Sequence, residues 1–107
     1  MRALVALVLV LAAPPASAGD HACADGGPKQ KAFAAGSKQG QKLVASAWSN
    51  LGGACADRAL LESTVREALA RLVPPAGASD RVVCRYDGVE DGANAALAAI
   101  AATCQGS

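Results

Sequence analysis

The chain has 107 residues, a formal net charge of +1 and 52% hydrophobic residues, but only one each of Phe, Trp and Tyr. The balanced charge excludes a global field that attracts nucleic acid, and the apolar content excludes a disordered chain. Because 27 residues are alanine, we expect a thin core built by close approach of helices.

The first 18 residues form a short basic start, an apolar run from Ala3 to Ala13 and a small-residue stretch up to Ala18. This pattern predicts a secretory signal peptide, residues 1–18, cleaved after Ala18, which leaves residues 19–107 as a single small domain. The run is too short for a membrane anchor, which needs about 20 apolar residues. We therefore expect a secreted or periplasmic protein, and the composition is typical of a GC-rich bacterium.

After a glycine-rich loop over residues 19–28, the pattern becomes helical. Pro28 suits a first helical turn and Gly52 with Gly53 ends the pattern, so we predict a helix from Pro28 to Leu51. Lys31, Lys38 and Lys42 lie together on its polar face. Its apolar stripe consists of Phe33, Gly36, Gly40, Leu43, Val44, Ala47, Trp48 and Leu51.

A second helix is predicted from Ala56 or Asp57 to Leu72, where Pro74 and Pro75 end it. Its polar face carries acidic and basic residues at helical spacing, which is typical of a solvated surface. The predicted apolar side consists of Leu60, Leu61, Val65, Ala68, Leu69 and Leu72.

A third helix is predicted after Asp80, which is a suitable N-cap. The alternative is a short extended segment over residues 81–86, because Val82 and Val83 favour a strand and each of two later glycines weakens a helix by about 1 kcal/mol. The apolar stripe of this helix consists of Val82, Tyr86, Val89, Ala93, Leu97, Ile100 and Cys104.

Four cysteines in an exported chain predict two structural disulfides, for which three pairings exist. In an up-down-up bundle, Cys23 and Cys84 lie at one end, and Cys55 and Cys104 lie at the other. Pairing Cys84 with Cys104 would join residues about 30 Å apart on one helix. We therefore predict an all-α, three-helix up-down-up bundle with Cys23–Cys84 and Cys55–Cys104 bonds.

Two glycine pairs recur at the same spacing, Gly36 with Gly40 and Gly88 with Gly92. Small residues four apart let another backbone approach closely, so this spacing predicts that the first and third helices pack against each other. A ligand groove at these glycines is the alternative interpretation.

Motifs for catalysis or metal binding are lacking. His21 is the only histidine, and the sequence contains no C-x-x-C or G-x-S-x-G. The acidic stretch 87–92 departs from a calcium loop, because Val89 and Ala98 occupy positions that need oxygen ligands. We therefore expect a protein that is not an enzyme, with no catalytic residue, cofactor or metal.

The three aromatic residues, Phe33, Trp48 and Tyr86, are the only large side chains available as anchors. Phe33 and Trp48 lie on the apolar stripe of the first helix, which favours a place in the core. The alternative for each anchor is an exposed contact with a partner.

The segments 86–91 and 95–104, together with the leader, four cysteines and three helices, resemble the small periplasmic immunity proteins that block amidase effectors. The cysteine order and spacing depart from that family, and no binding residue is carried over from it. We expect a non-enzymatic module that binds another protein, whose identity the residues do not give, and not nucleic acid. The alternatives are an immunity or inhibitor protein against a secreted effector, or a small-ligand or lipid carrier.

Overall fold

The computed structural model describes residues 23–105, which form three α-helices and, within that range, no strand. They are α1 (Pro28–Asn50), α2 (Arg58–Leu72) and α3 (Asp80–Gln105), and a 3₁₀ turn at Cys55–Asp57 leads into α2. The predicted all-α bundle is confirmed. The predicted signal peptide and His21 lie outside the described residues.

Helix α1 begins and ends where its sequence breaks the helical pattern. Pro28 occupies the first turn, where a missing N–H costs nothing. The helix ends at Asn50, one residue before the predicted end, and Leu51 follows as the C-cap. Gly52 and Gly53 then adopt φ angles of 93° and 69°, which side chains with a Cβ rarely adopt.

The start of α1 is capped by a residue that the sequence analysis assigned to a loop. The carboxylate of Asp25 accepts hydrogen bonds from the backbone N–H groups of Gly27 at 2.7 Å and Gln30 at 3.1 Å. In return, the side chain of Gln30 accepts the N–H of Gly26 at 2.8 Å. The backbone hydrogen bond from Gly27 is the main cause that holds the pKa of Asp25 below its ordinary value of 3.8.

We expect the Asp25→Ala variant to melt at a lower temperature than the wild type in a pH-dependent way. Because the folded pKa is depressed, the stabilisation from this carboxylate is complete above the ordinary pKa and is lost as pH falls through the folded pKa. The measurement is the melting temperature of both proteins from about pH 2 to about pH 7. The gap should close at the acid end, whereas the Gln30→Ala control should keep a constant gap. A pH-independent gap for Asp25→Ala would contradict this role.

Helix α3 is continuous from Asp80, so the extended alternative over residues 81–86 is wrong. The hydroxyl of Ser79 accepts the N–H of Val82 at 3.3 Å and caps the first turn. The predicted cap, Asp80, is instead the first helical residue, and its carboxylate pairs with Lys29 at 3.4 Å. The helix tolerates Gly88 and Gly92 because both pack against α1.

The core is as thin as the composition predicts, and aliphatic side chains from all three helices form it. Its buried members are Val44, Leu61, Val65, Leu69, Val89, Ala93 and Leu97. Three residues of the predicted stripes are exposed instead of buried: Leu60, Leu72 and Val82 are 52%, 44% and 48% exposed. Leu60 turns away beside the buried Leu61, while Leu72 and Val82 lie where α2 ends.

Both predicted disulfides are present. Cys23 is bonded to Cys84 and Cys55 to Cys104, each pair with its Cα atoms 5.6 Å apart. The first bond joins the start of α3 to the segment before α1, and the second joins the start of the 3₁₀ turn to the end of α3. The up-down-up order, with α1 parallel to α3, is therefore confirmed.

Candidate functional site

The four predicted glycines lie in the contact between α1 and α3. A Cβ built on Gly36 would overlap the carbonyl oxygen of Arg85 and would stand 2.9 Å from the amide nitrogen of Val89. A Cβ built on Gly88 would likewise overlap the carbonyl oxygen of Phe33. The obstructing atoms are backbone, so no side-chain rotation could make room for a methyl group.

The second glycine pair repeats this arrangement one turn further along. A Cβ on Gly40 would overlap the carbonyl of Val89, and a Cβ on Gly92 would overlap that of Ser37. Each glycine thus faces the carbonyl three residues before its counterpart, so the contact is nearly symmetric between the two parallel helices. Backbone contact on both sides leaves no space between α1 and α3 for a ligand at these glycines.

The three aromatic anchors are all half-buried, but in different surroundings. Trp48 packs against the core cluster. Phe33 lines a small hollow next to the Cys23 disulfide. Tyr86 lines a groove beside the end of α2, where burial raises the pKa of its hydroxyl and the nearby Glu90 adds to the rise. Tyr86 therefore stays protonated and can donate a hydrogen bond.

That groove is the apolar groove, defined by Leu72 and Pro74 together with Val82 and Tyr86 of α3, and it encloses about 130 Å³. Of the five exposed large apolar side chains of the described residues, Leu72 and Val82 line it, Val73 and Val83 are their neighbours in the chain, and Leu60 lies elsewhere. Leu72, Val73, Val82 and Val83 are 44%, 57%, 48% and 39% exposed, respectively. Such a cluster on a small domain is typical of an interaction surface.

A larger concavity, the basic cleft, lies next to the apolar groove and has a volume of about 810 Å³. Its cationic side chains are Lys31 from α1 and Arg81 and Arg85 from α3. The guanidinium of Arg85 donates two hydrogen bonds to the side-chain oxygen of Gln39, at 3.2 and 3.0 Å. Val82 and Arg85 line both concavities, so the two are adjacent.

The basic cleft was missed by sequence reasoning, which grouped Lys31 with Lys38 and Lys42 on one solvated face. In the structure, Lys31 lines the cleft and the other two lysines do not. The sequence signal that could have found it is the unequal length of the predicted helices, because a short second helix leaves part of the longer pair uncovered.

Within residues 23–105, no three His, Cys, Asp or Glu side chains come together in a way that could hold a metal ion. In the same range, none of the helices has the length and hydropathy that a membrane span requires. No protein-family model, curated protein or solved structure matches the chain.

Proposed function

We propose that this chain is a non-enzymatic, exported module that acts by binding another protein. The observation that carries the proposal is that the exposed Leu72 and Val82 line the apolar groove, with the exposed Val73 and Val83 next to them in the chain. A domain with a thin core gains stability from each large aliphatic side chain that it buries, at about 1.5–3 kcal/mol for a leucine or valine. Leaving four of them exposed at one end favours a surface that a partner covers.

The surroundings of the groove support a protein partner over a small apolar ligand. A carrier needs an enclosed apolar cavity that buries most of its ligand. The apolar groove is small and open, and the larger basic cleft beside it carries three cationic side chains. An inhibitor or immunity role against a secreted effector is one form of the same proposal, since it also acts through a protein contact.

The test is capture of a partner by the immobilised exported protein, followed by reconstitution with the purified partner. We expect the Leu72→Ser/Val73→Ser variant to bind it at least about tenfold more weakly, as expected for apolar contact residues. Leu60→Ser is the matched control, because Leu60 is 52% exposed but does not line the groove. Thermal unfolding of both variants in the oxidised form checks that the fold is intact.

Equal weakening by Leu60→Ser and by the groove variant would overturn the role of the groove. Two results would overturn the binding function itself. One is that no partner is retained in a saturable way. The other is a fatty acid or another small apolar molecule that co-purifies in stoichiometric amounts and is lost from the groove variant, because that result would establish a carrier.

A further inference from the structure

Helix α2 is too short to cover the whole length of the α1 and α3 pair. It has 15 residues, whereas α1 has 23 and α3 has 26. At about 1.5 Å per residue, α2 spans about 22 Å against about 34 Å for α1 and about 39 Å for α3. Its last residue, Leu72, reaches the level of Gln39 and Tyr86. Within residues 23–105, no third helix therefore covers the N-terminal turns of α1 and α3, and the basic cleft lies along these turns.

Small apolar side chains line part of the basic cleft. We call Ala32 and Ala35 of α1 and Val82 of α3 its floor, and α2 contributes no residue to its lining. Side chains this small leave room for larger apolar groups from outside, such as a leucine or phenylalanine. The apolar groove continues this surface towards the end of α2, since Val82 belongs to both.

The charged side chains that line the basic cleft are cationic. Lys31, Arg81 and Arg85 line the cleft, and no carboxylate of the described residues does so. The carboxylate of Asp25 accepts backbone N–H groups at the start of α1, and that of Asp80 pairs with Lys29. Neither carboxylate pairs with a cation of the cleft, and Lys31, Arg81 and Arg85 are exposed.

We propose, on the basis of the function proposed above, that the basic cleft binds an acidic amphipathic segment of the partner protein. Its apolar side chains lie on the floor formed by Ala32, Ala35 and Val82. Its carboxylates pair with Lys31, Arg81 and Arg85, of which Arg85 is held in position by Gln39. The segment takes the place that a longer α2 would fill. A volume of about 810 Å³ is far more than a small anion needs, which favours a peptide segment over free phosphate or acetate.

The test uses synthetic amphipathic peptides of about three helical turns, built from leucine, alanine and glutamate. Two further peptides carry glutamine or lysine in place of every glutamate. Each is titrated into the ¹⁵N-labelled, oxidised protein, and amide shifts and dissociation constants are measured. We expect the glutamate peptide to bind most tightly and to shift the amides of Ala32, Ala35 and Val82. Binding should weaken between about 50 and about 500 mM NaCl, because salt screens exposed charges.

A charge-reversed variant tests which cations carry the binding. Lys31→Glu/Arg81→Glu should bind the glutamate peptide at least about tenfold more weakly and should prefer the lysine peptide. Lys38→Glu/Lys42→Glu is the matched control, because it makes the same change of net charge on exposed side chains outside the cleft. The control should change the dissociation constant by less than about twofold.

Several results would overturn the cleft proposal. They are equal binding of the three peptides, no binding of the glutamate peptide, amide shifts away from the cleft, and an equal loss in the Lys38→Glu/Lys42→Glu control. Tighter, cleft-dependent binding to vesicles of phosphatidylglycerol would assign the cleft to a membrane surface. Concentration-dependent shifts at the cleft without peptide would assign it to a second copy of the chain.

The groove variant and the charge-reversed variant together separate the role of the cleft from the binding function. A partner whose binding is lost in Leu72→Ser/Val73→Ser but kept in Lys31→Glu/Arg81→Glu would leave the protein-binding function standing and would overturn the role of the cleft. A partner insensitive to both variants would overturn the groove and the cleft as its binding surface, and the absence of any saturable partner would overturn the binding function itself.

Discussion

Replacing Cys23 and Cys84 together by serine is expected to lower the free energy of unfolding by about 5 kcal/mol or more. The lost constraint on the unfolded chain accounts for about 4 kcal/mol, because the bonded residues are 61 positions apart. The rest of the expected loss in the free energy of unfolding arises from burial, because both cysteines are only 2% exposed. Two serine hydroxyls at these positions would be buried without prepared partners. The measurement is denaturant unfolding of the variant and the wild type.

The second disulfide supplies the control for this prediction. Cys55 and Cys104 are 49 positions apart, so the chain constraint is again about 4 kcal/mol. Cys55 is exposed and Cys104 half-buried, so serines there can bond to water. We therefore expect Cys55→Ser/Cys104→Ser to lose less stability than Cys23→Ser/Cys84→Ser. Equal losses of stability in the two variants, or the reverse order, would show that the burial of the cysteines does not set the difference between the two disulfides.

Alanine at Gly88 is expected to lower the free energy of unfolding by about 2–3 kcal/mol. In an ordinary helix this substitution is stabilising by about 1 kcal/mol, so the expected sign is opposite to helix propensity. The reason is the carbonyl of Phe33, which occupies the place of the new methyl group and belongs to the backbone. The measurement is again denaturant unfolding. Ala34→Gly, on the exposed side of α1, is the control that measures the effect of helix propensity without a packing change.

The double variant Gly36→Ala/Gly88→Ala sharpens the same test. The two glycines belong to the same contact, where each lies against the carbonyl three residues before the other, so the first methyl group already pushes the helices apart. The combined loss should therefore be smaller than the sum of the two single losses. A stabilised Gly88→Ala protein, or strictly additive losses, would contradict close backbone contact between α1 and α3.

Most of the scaffold could be predicted from local sequence signals. Pro28 and the Gly52–Gly53 pair mark the limits of α1, and Pro74 follows the end of α2. Once the helices are ordered up-down-up, only one pairing of the four cysteines is within reach, and that pairing is present. These features depend on residues close in sequence or on simple helix lengths, so a pattern can predict them.

The candidate site could not be predicted in the same way. A helical stripe predicts burial as if a neighbour ran along the entire helix, which is why Leu72 and Val82 were expected inside. Their exposure depends on where α2 ends relative to α1 and α3. The grouping of Lys31 with Arg81 and Arg85 was not predicted either, because these residues lie on two helices and come together only when α1 and α3 pack. The capping role of Asp25 was missed because its carboxylate accepts backbone N–H groups, which every residue type carries. The later Gln30, whose side chain bonds back to Gly26, offered a capping signal.

The close contact of α1 with α3 also affects the entropy of folding. Glycine and alanine have no side-chain rotamers to lose, whereas a long side chain loses up to about 2 kcal/mol when it is fixed. At Gly36, Gly40, Gly88 and Gly92 the two helices meet through backbone atoms, so this contact forms without freezing side chains there. The alanine-rich composition that makes the core thin therefore also lowers the side-chain entropy that is lost when the core packs. At these four glycines the fit of α1 against α3 does not depend on the choice of side-chain rotamers.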